Sequence, residues 1–318
     1  MKGAIETREV ITVADRGISL RGTYHKVQED ISSSLLGPNE RDHIGMLFLN
    51  PGFLPRAADG DSAIYWAESF AKAGYPSFRF DLPGLGDSDG DVPVEMIDFA
   101  HLVNTGHYAP TLSALAKSIT KRFNLLGVVV VGHCAGAVSA IYAAAASNEI
   151  KGLVLLDPYF HLARKSTTIR KTLRFWVPRY RLAGHLSDIY DRLKYYRLLL
   201  AGHRLPNNAN VSLIRCWNQL ASAGLPTIIF TAPKPKPKEG EFDYFRYLNL
   251  KSDGSRHVVV KHIEGTNHSF VKGTGKQAFL KHTEQWLSNC FPPRPRTDID
   301  SSDHQRSNIA EMNATANS

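Results

Sequence analysis

The feature that most constrains the fold is a run of four valines followed by small residues, at positions 128–137. Val128 to Val131 predict a short, fully buried strand, and the alanines over 137–146 predict a helix. Between them lies the turn Gly132-His133-Cys134-Ala135-Gly136, whose glycines allow strand and helix to approach closely. The helix N-terminus carries partial positive charge, which favours thiolate over thiol. The pattern therefore predicts that Cys134 is a nucleophile; the alternative is a structural cysteine at a tight turn.

Apolar strands and helical patterns alternate along the rest of the chain. A hairpin is predicted over 8–25; strands over 45–49, 75–80, 152–156, 226–230 and 257–263; and helices over 63–73, 110–122 and 277–287. This order predicts an α/β fold with a mostly parallel central sheet and helices on both faces. In such sheets the reactive groups gather at the carboxyl ends of the strands. Cys134, Asp157, Gly52 and His268 all follow predicted strands and are expected there.

The chain divides into an interrupted core, an insertion and a tail. Residues 1–157 and 226–290 form the two parts of the core, residues 158–225 form a helical cap, and the Pro-rich segment 291–318 is expected to be disordered. Within the cap, residues 159–225 carry 12 positive and 2 negative side chains. This basic segment is either a solvated helical face or a landing surface for an anionic partner. The partner would be a carrier protein, a coenzyme A phosphate, an acidic polysaccharide or an anionic membrane.

Composition argues against several other classes of protein. The net charge is +8, but the sequence contains no zinc-finger spacing and no aromatic-interleaved basic motif, so no nucleic-acid partner is expected. It also contains no apolar run of 18 residues and no apolar N-terminal signal region, so no transmembrane segment is expected. The three cysteines have neither metal-site nor disulfide spacing. A free thiol of this kind predicts a cytoplasmic location.

Four motifs occur in an order that resembles the α/β-hydrolase superfamily over about residues 6 to 290. They are Asn50-Pro51-Gly52-Phe53, the segment 81–88 of the form Asp-x-x-Gly-x-Gly-x-Ser, the Gly-x-Cys-x-Gly turn and Gly265-Thr266-Asn267-His268. The cap insertion is similar to the serine-aminopeptidase and monoglyceride-lipase-like branch. The hexapeptide Gly-His-Cys-Ala-Gly-Ala is similar to cysteine hydrolases of exosortase and exopolysaccharide systems. The resemblance implies an α/β-hydrolase-type sheet with a helical cap, a cysteine hydrolase or acyltransferase, and no cofactor.

The resemblance also assigns roles to individual residues. His268 follows the last strand and comes after the nucleophile, as expected for the general base. The acid is expected just after strand 226–230, where Gly240-Glu241-Phe242-Asp243 matches the family pattern, so Asp243 is preferred. Glu239, Glu241 and Asp157 are the alternatives. The oxyanion-hole N–H groups are expected from Ala135 and from Phe53, although Pro51 replaces the usual histidine. His133 is expected to be a pocket or packing residue that points away from the nucleophile.

These residues predict a hydrolase that cleaves an ester or thioester through a covalent acyl-cysteine intermediate. The substrate would be a small-molecule or carrier-bound acyl compound, and neither a cofactor nor a metal ion is expected. One alternative is an acyltransferase that passes the acyl group to an alcohol or amine in a polysaccharide or secondary-metabolite pathway. A second alternative is a non-catalytic binding protein that kept the fold, since the acid is uncertain and the His-Gly histidine is replaced.

Overall fold

The computed structural model of the protein describes residues 7–27, 43–162, 205–233, 242–244, 247–248 and 257–292. Within these residues one sheet contains eight strands. The strands are β1 (Arg8–Asp15), β2 (Ile18–His25), β3 (Ile44–Phe48), β4 (Ser77–Phe80), β5 (Gly127–His133), β6 (Ile150–Leu156), β7 (Thr227–Thr231) and β8 (Val258–His262).

The sheet confirms the predicted α/β fold. The strand order is β1-β2-β4-β3-β5-β6-β7-β8. Strands β1 and β2 form an antiparallel hairpin at one edge, β2 is antiparallel to β4, and the pairs from β4 to β8 are parallel. The valine strand β5 lies between β3 and β6, with helices covering both faces of the sheet. Its four valines are all buried because both faces of this central strand are covered.

Helices cover the sheet on both sides and bury two apolar clusters. They are α1 (Ser62–Lys72), α2 (Met96–Asn104), α3 (Ala109–Arg122), α4 (Ala135–Ala145), α5 (Val211–Ser222) and α6 (Gly275–Cys290). Side chains of α2, α3, α4 and α5 share one cluster, and those of α1 and α6 share the other. Among the described helices, none has both the length and the apolar character needed to cross a lipid bilayer.

The predicted cap is described only at its two ends. Residues 163–204, which carry most of its positive charges, lie outside the described residues. Helix α5, near the end of the predicted insertion, packs its buried Leu213 and Trp217 into the same cluster as α4. The cap boundaries 158–225, the anionic partner and the tail 291–318 therefore stay predictions.

A buried histidine makes the hairpin edge of the sheet sensitive to acid. His25 is 1% exposed, and its Nε2 accepts a hydrogen bond of 2.9 Å from Nε of the buried Arg79. Burial, followed by the positive charge of Arg79, lowers the pKa of His25 to about 3. The ring is therefore neutral in the folded protein over a pH range in which an unfolded histidine takes up a proton.

This difference predicts a specific acid destabilisation. Since the folded pKa lies below the unfolded value, the free energy of unfolding should fall as the pH drops from about 6.5 towards 3. His25→Gln keeps an acceptor for Arg79 but does not titrate. Between pH 7 and pH 4.5, urea unfolding should show the wild type losing about 2 kcal/mol more than the variant. Equal losses in the two proteins would contradict the assignment.

Candidate active site

The nucleophile turn is tightly packed. Cys134 lies between β5 and α4 with φ 53° and ψ −112°, a conformation that L-residues rarely adopt. Its N–H donates to the carbonyl of Leu156 at 2.9 Å, which ties the turn to the neighbouring strand β6. A Cβ on Gly132 would lie 2.5 Å from the carbonyl oxygen of Gly136. The backbones of strand and helix are therefore in direct contact at this turn, as the glycine spacing predicts.

The helix that carries Cys134 also contacts the loop after β3. A Cβ on Gly136 would lie 2.7 Å from the carbonyl oxygen of Asn50. Both N–H groups expected in the oxyanion hole come from this region, since Ala135 begins α4 and Phe53 lies in the adjoining loop. The first N–H groups of a helix have no acceptor within it, so that of Ala135 can serve a ligand.

A buried carboxylate holds this loop in place. Asp81, 1% exposed, accepts hydrogen bonds at Oδ1 from Asn50 Nδ2 at 2.9 Å and from the main-chain N–H of Arg56 at 2.7 Å. Its Oδ2 pairs with the Arg56 guanidinium. The carboxamide of Asn50 bonds in turn to the carbonyl of Leu54 and the N–H of Leu82. Asp81 therefore braces the predicted oxyanion loop.

Removal of this carboxylate should destabilise the protein strongly. In Asp81→Ala the partly buried Arg56 and the Asn50 amide each lose the buried carboxylate as an acceptor, which should lower the free energy of unfolding by about 3 kcal/mol. The exposed Asp91 in the same segment provides the control, and Asp91→Ala should change stability by less than about 0.5 kcal/mol. Denaturant unfolding measures both variants. A loss in Asp81→Ala no larger than in the control would refute the bracing role.

The predicted base contacts a buried carboxylate. His268 Nδ1 is 2.8 Å from Oδ2 of Asp157. Hydrogen bonds with Asp157 first and with Cys134 second, outweighing partial burial, raise the pKa of His268 to about 10. The His268 side chain is 57% exposed, whereas that of Asp157 is 2% exposed. The imidazole thus links a buried carboxylate to the thiol at the carboxyl edge of the sheet.

Asp157 is held in place by the ends of two neighbouring strands. It follows β6 with φ 44°, and its N–H donates to the carbonyl of Phe230 at 2.8 Å. Its second oxygen, Oδ1, accepts the N–H of Ala232 at 3.0 Å. Both carboxylate oxygens therefore have donors, which satisfies the buried charge and fixes its orientation towards His268.

Comparison with known proteins identifies the family of the chain. A sequence model described as "Alpha/beta hydrolase family" matches residues 46–271. The chain belongs to the alpha/beta hydrolase family. A search of curated protein sequences gives no match.

Solved structures show the same fold at low sequence identity. The chain is similar to Est1E from Butyrivibrio proteoclasticus with bound ferulic acid, with a TM-score of 0.54 and 15% identity, over 88% of this chain and 98% of that one. It is also similar to the Pyrococcus furiosus esterase PF2001, with a TM-score of 0.57 and 13% identity, over 89% of this chain and 91% of that one.

The carboxylate that contacts His268 is not the one that the sequence favours as the acid. The carboxylate on His268 Nδ1 is Asp157, the alternative after β6, and not Asp243. The acid was predicted in the segment after β7. In the structure that segment begins with Ala232, whose main-chain N–H donates to Asp157. The chain order Cys134, Asp157, His268 matches the order nucleophile, acid, histidine that alpha/beta hydrolases have. A signal was present in the sequence, since Asp157 ends a buried strand directly after the nucleophile strand.

His133 also has a contact that the sequence pattern did not indicate. Its Nε2 lies 2.7 Å from the main-chain carbonyl oxygen of His268, and the two rings are 4.8 Å apart. The ring therefore lies against the base loop rather than pointing away from the site. Among the described residues, no group of three or more His, Cys, Asp or Glu side chains is arranged to hold a metal ion.

The two candidate acids can be separated by matched substitutions. Asp157→Asn removes the carboxylate from His268 and should lower kcat/KM for a p-nitrophenyl ester by about 10²–10⁴-fold. Asp243→Asn should stay within about twofold of the wild type, since His268 keeps its partner, whereas removal of a true triad acid costs far more. Steady-state kinetics on both variants provide the measurement. The reverse pattern would restore Asp243 as the acid.

Proposed function

We propose that this alpha/beta hydrolase cleaves an ester or thioester through a covalent acyl-cysteine intermediate. Cys134 is the nucleophile, His268 the general acid and base, and Asp157 the residue that orients the imidazole. The observation that carries the proposal is the contact of 2.8 Å between His268 Nδ1 and the buried Asp157 carboxylate, with Cys134 at the tight turn between β5 and α4. A nucleophile, a base and an orienting group in this order are the parts that nucleophilic acyl transfer requires.

In the first half-reaction the thiolate of Cys134 attacks the substrate carbonyl carbon. The proton of the thiol resides on His268, whose positive charge the carboxylate of Asp157 stabilises. Negative charge develops on the carbonyl oxygen and is met by the N–H groups of Ala135 and Phe53. The intermediate then collapses, the bond to the alkoxide or thiolate leaving group breaks, and His268 returns its proton to that group.

In the second half-reaction water releases the acyl group. His268, now neutral, removes a proton from a water molecule as the oxygen attacks the carbonyl carbon of the acyl-cysteine thioester. The second intermediate expels the thiolate of Cys134 and yields a carboxylic acid. The high pKa of His268, about 10 when its negative neighbours are in place, then restores the cation beside the thiolate.

The chemistry of the intermediate favours esters and thioesters over amides as substrates. An acyl-thioester is more reactive than an ester and far more reactive than an amide, so transfer from an amide to Cys134 is the most unfavourable of the three. One of the structures with this fold, that of the Pyrococcus furiosus protein, is an esterase, which acts on the same bond class.

An aromatic pair at the predicted oxyanion loop favours an apolar acyl group. Phe53, on the oxyanion loop, packs its ring 4.2 Å from that of Phe99. Burial first, and then the negative charge of Cys134, raise the pKa of Tyr159 above its usual value. The phenol of Tyr159 therefore stays protonated. The substrate of such a reaction is an acyl compound, either a small molecule or one bound to a carrier.

The proposal is tested by intact mass after brief exposure to p-nitrophenyl acetate. The wild type should release nitrophenol and gain one acetyl group, whereas Cys134→Ala should do neither. Cys290, an exposed free thiol outside the site, provides the control, and Cys290→Ala should behave as the wild type.

What happens to the acetyl group on Cys134 distinguishes a hydrolase from an acyltransferase and from a binding protein. Discharge by water supports hydrolysis, whereas an adduct that persists until an alcohol or amine is added would make the protein an acyltransferase. Acetylation of Cys134→Ala to the wild-type extent would refute the nucleophile. Absence of both adduct and nitrophenol in the wild type would favour the non-catalytic binding protein.

A further inference from the structure

His133 connects the nucleophile strand to the loop that carries the base. It is the last residue of β5 and directly precedes Cys134. Its Nε2 is 2.7 Å from the carbonyl oxygen of His268, and its ring lies 6.1 Å from that of Phe270 in an edge-on contact. One strand end therefore carries both the nucleophile and a direct contact to the main chain of the base.

The direction of this hydrogen bond fixes the tautomer of His133. A carbonyl oxygen can only accept, so the proton resides on Nε2 of His133. Burial first, and then the positive charge of His268, lower the pKa of His133 to about 4. At neutral pH the ring thus donates without carrying a charge. A cation at this position would stand beside His268 and compete with it for the negative charge of Asp157.

Further contacts hold the loop that carries His268. The Asn267 side-chain oxygen accepts the N–H groups of Val271 and Lys272 at 3.3 and 3.2 Å. Phe270 is 0% exposed and has φ 56°, a strained conformation held by its surroundings. These contacts anchor the residues around His268, whereas its own main-chain carbonyl is held by His133.

We propose that His133 is a positioning residue that sets the distance between base and nucleophile. Its N–H clamps the carbonyl of His268, so that the imidazole of His268 stays within reach of both Cys134 and Asp157. The inference rests on the proposed function, because the distance matters only if His268 acts on Cys134. A misplacement of about 1 Å in such a pair lowers rates by about 10²-fold.

A matched pair of substitutions separates donation from packing. His133→Gln keeps a side-chain N–H at a similar reach, whereas His133→Met has a similar length and no donor. For p-nitrophenyl acetate, His133→Met should lower kcat by about 10–100-fold and change KM by less than about twofold. His133→Gln should recover most of the lost kcat. His133→Leu is a second donor-free variant in case His133→Met does not fold. Circular dichroism shows whether each of the three variants is folded.

A proton resonance reports the position of His268 independently of turnover. The Nδ1–H of His268, bonded to Asp157, should give a ¹H NMR signal downfield of the amide region, assigned by its absence in His268→Ala. The signal should persist in the wild type and in His133→Gln, and broaden or disappear in His133→Met.

Two results would overturn the inference. Wild-type kcat and an unchanged resonance in a folded donor-free variant would show that the clamp has no effect. A His133→Gln variant as slow as His133→Met would show that the ring acts by packing and not by donation. Failure of the wild type to form an acyl-enzyme would refute the proposed function instead, and the resonance would still show whether His133 positions His268.

Discussion

The structure depends on the close approach of strand β5 and helix α4 on either side of Cys134. Side chains at Gly132 or Gly136 would overlap the backbone of the helix or of the loop after β3. This contact forces Cys134 into its strained conformation and sets the first N–H of α4 beside the predicted oxyanion loop. The four valines hold the strand in the centre of the sheet, so the strain at one residue is supported by extensive buried apolar packing.

The sequence predicts most of the fold because each buried strand and each tight turn leaves a local signal. The valine run, the Gly-x-Cys-x-Gly turn and the hairpin at residues 8–25 depend on neighbours within a few positions. Helix α2 was not predicted, since its buried contacts are limited to Phe99, Val103 and Asn104 in nine residues. Its apolar pattern is too short to be distinguished from a loop.

The candidate site was predicted less completely because its contacts join residues far apart in the chain. Asp157 and His268 are separated by 111 positions, and His133 and His268 by 135. No local sequence pattern predicts which carboxylate reaches the imidazole. The segment that ends in Asp243 matches the acid motif of the family, whereas Asp157-Pro158 matches no motif. In the structure the carboxylate that contacts His268 is the one directly after β6, and a main-chain N–H directly after β7 supports it.

That main-chain N–H has a consequence for how the protein can change over evolution. Any residue except proline provides an N–H at position 232, so the donor to Asp157 does not depend on the identity of a side chain. The segment that follows is then released from supplying an acid, which relaxes selection on its composition. A Pro-Lys repeat of the kind found at 233–238 is compatible with this arrangement, because the segment does not have to bring a carboxylate to His268.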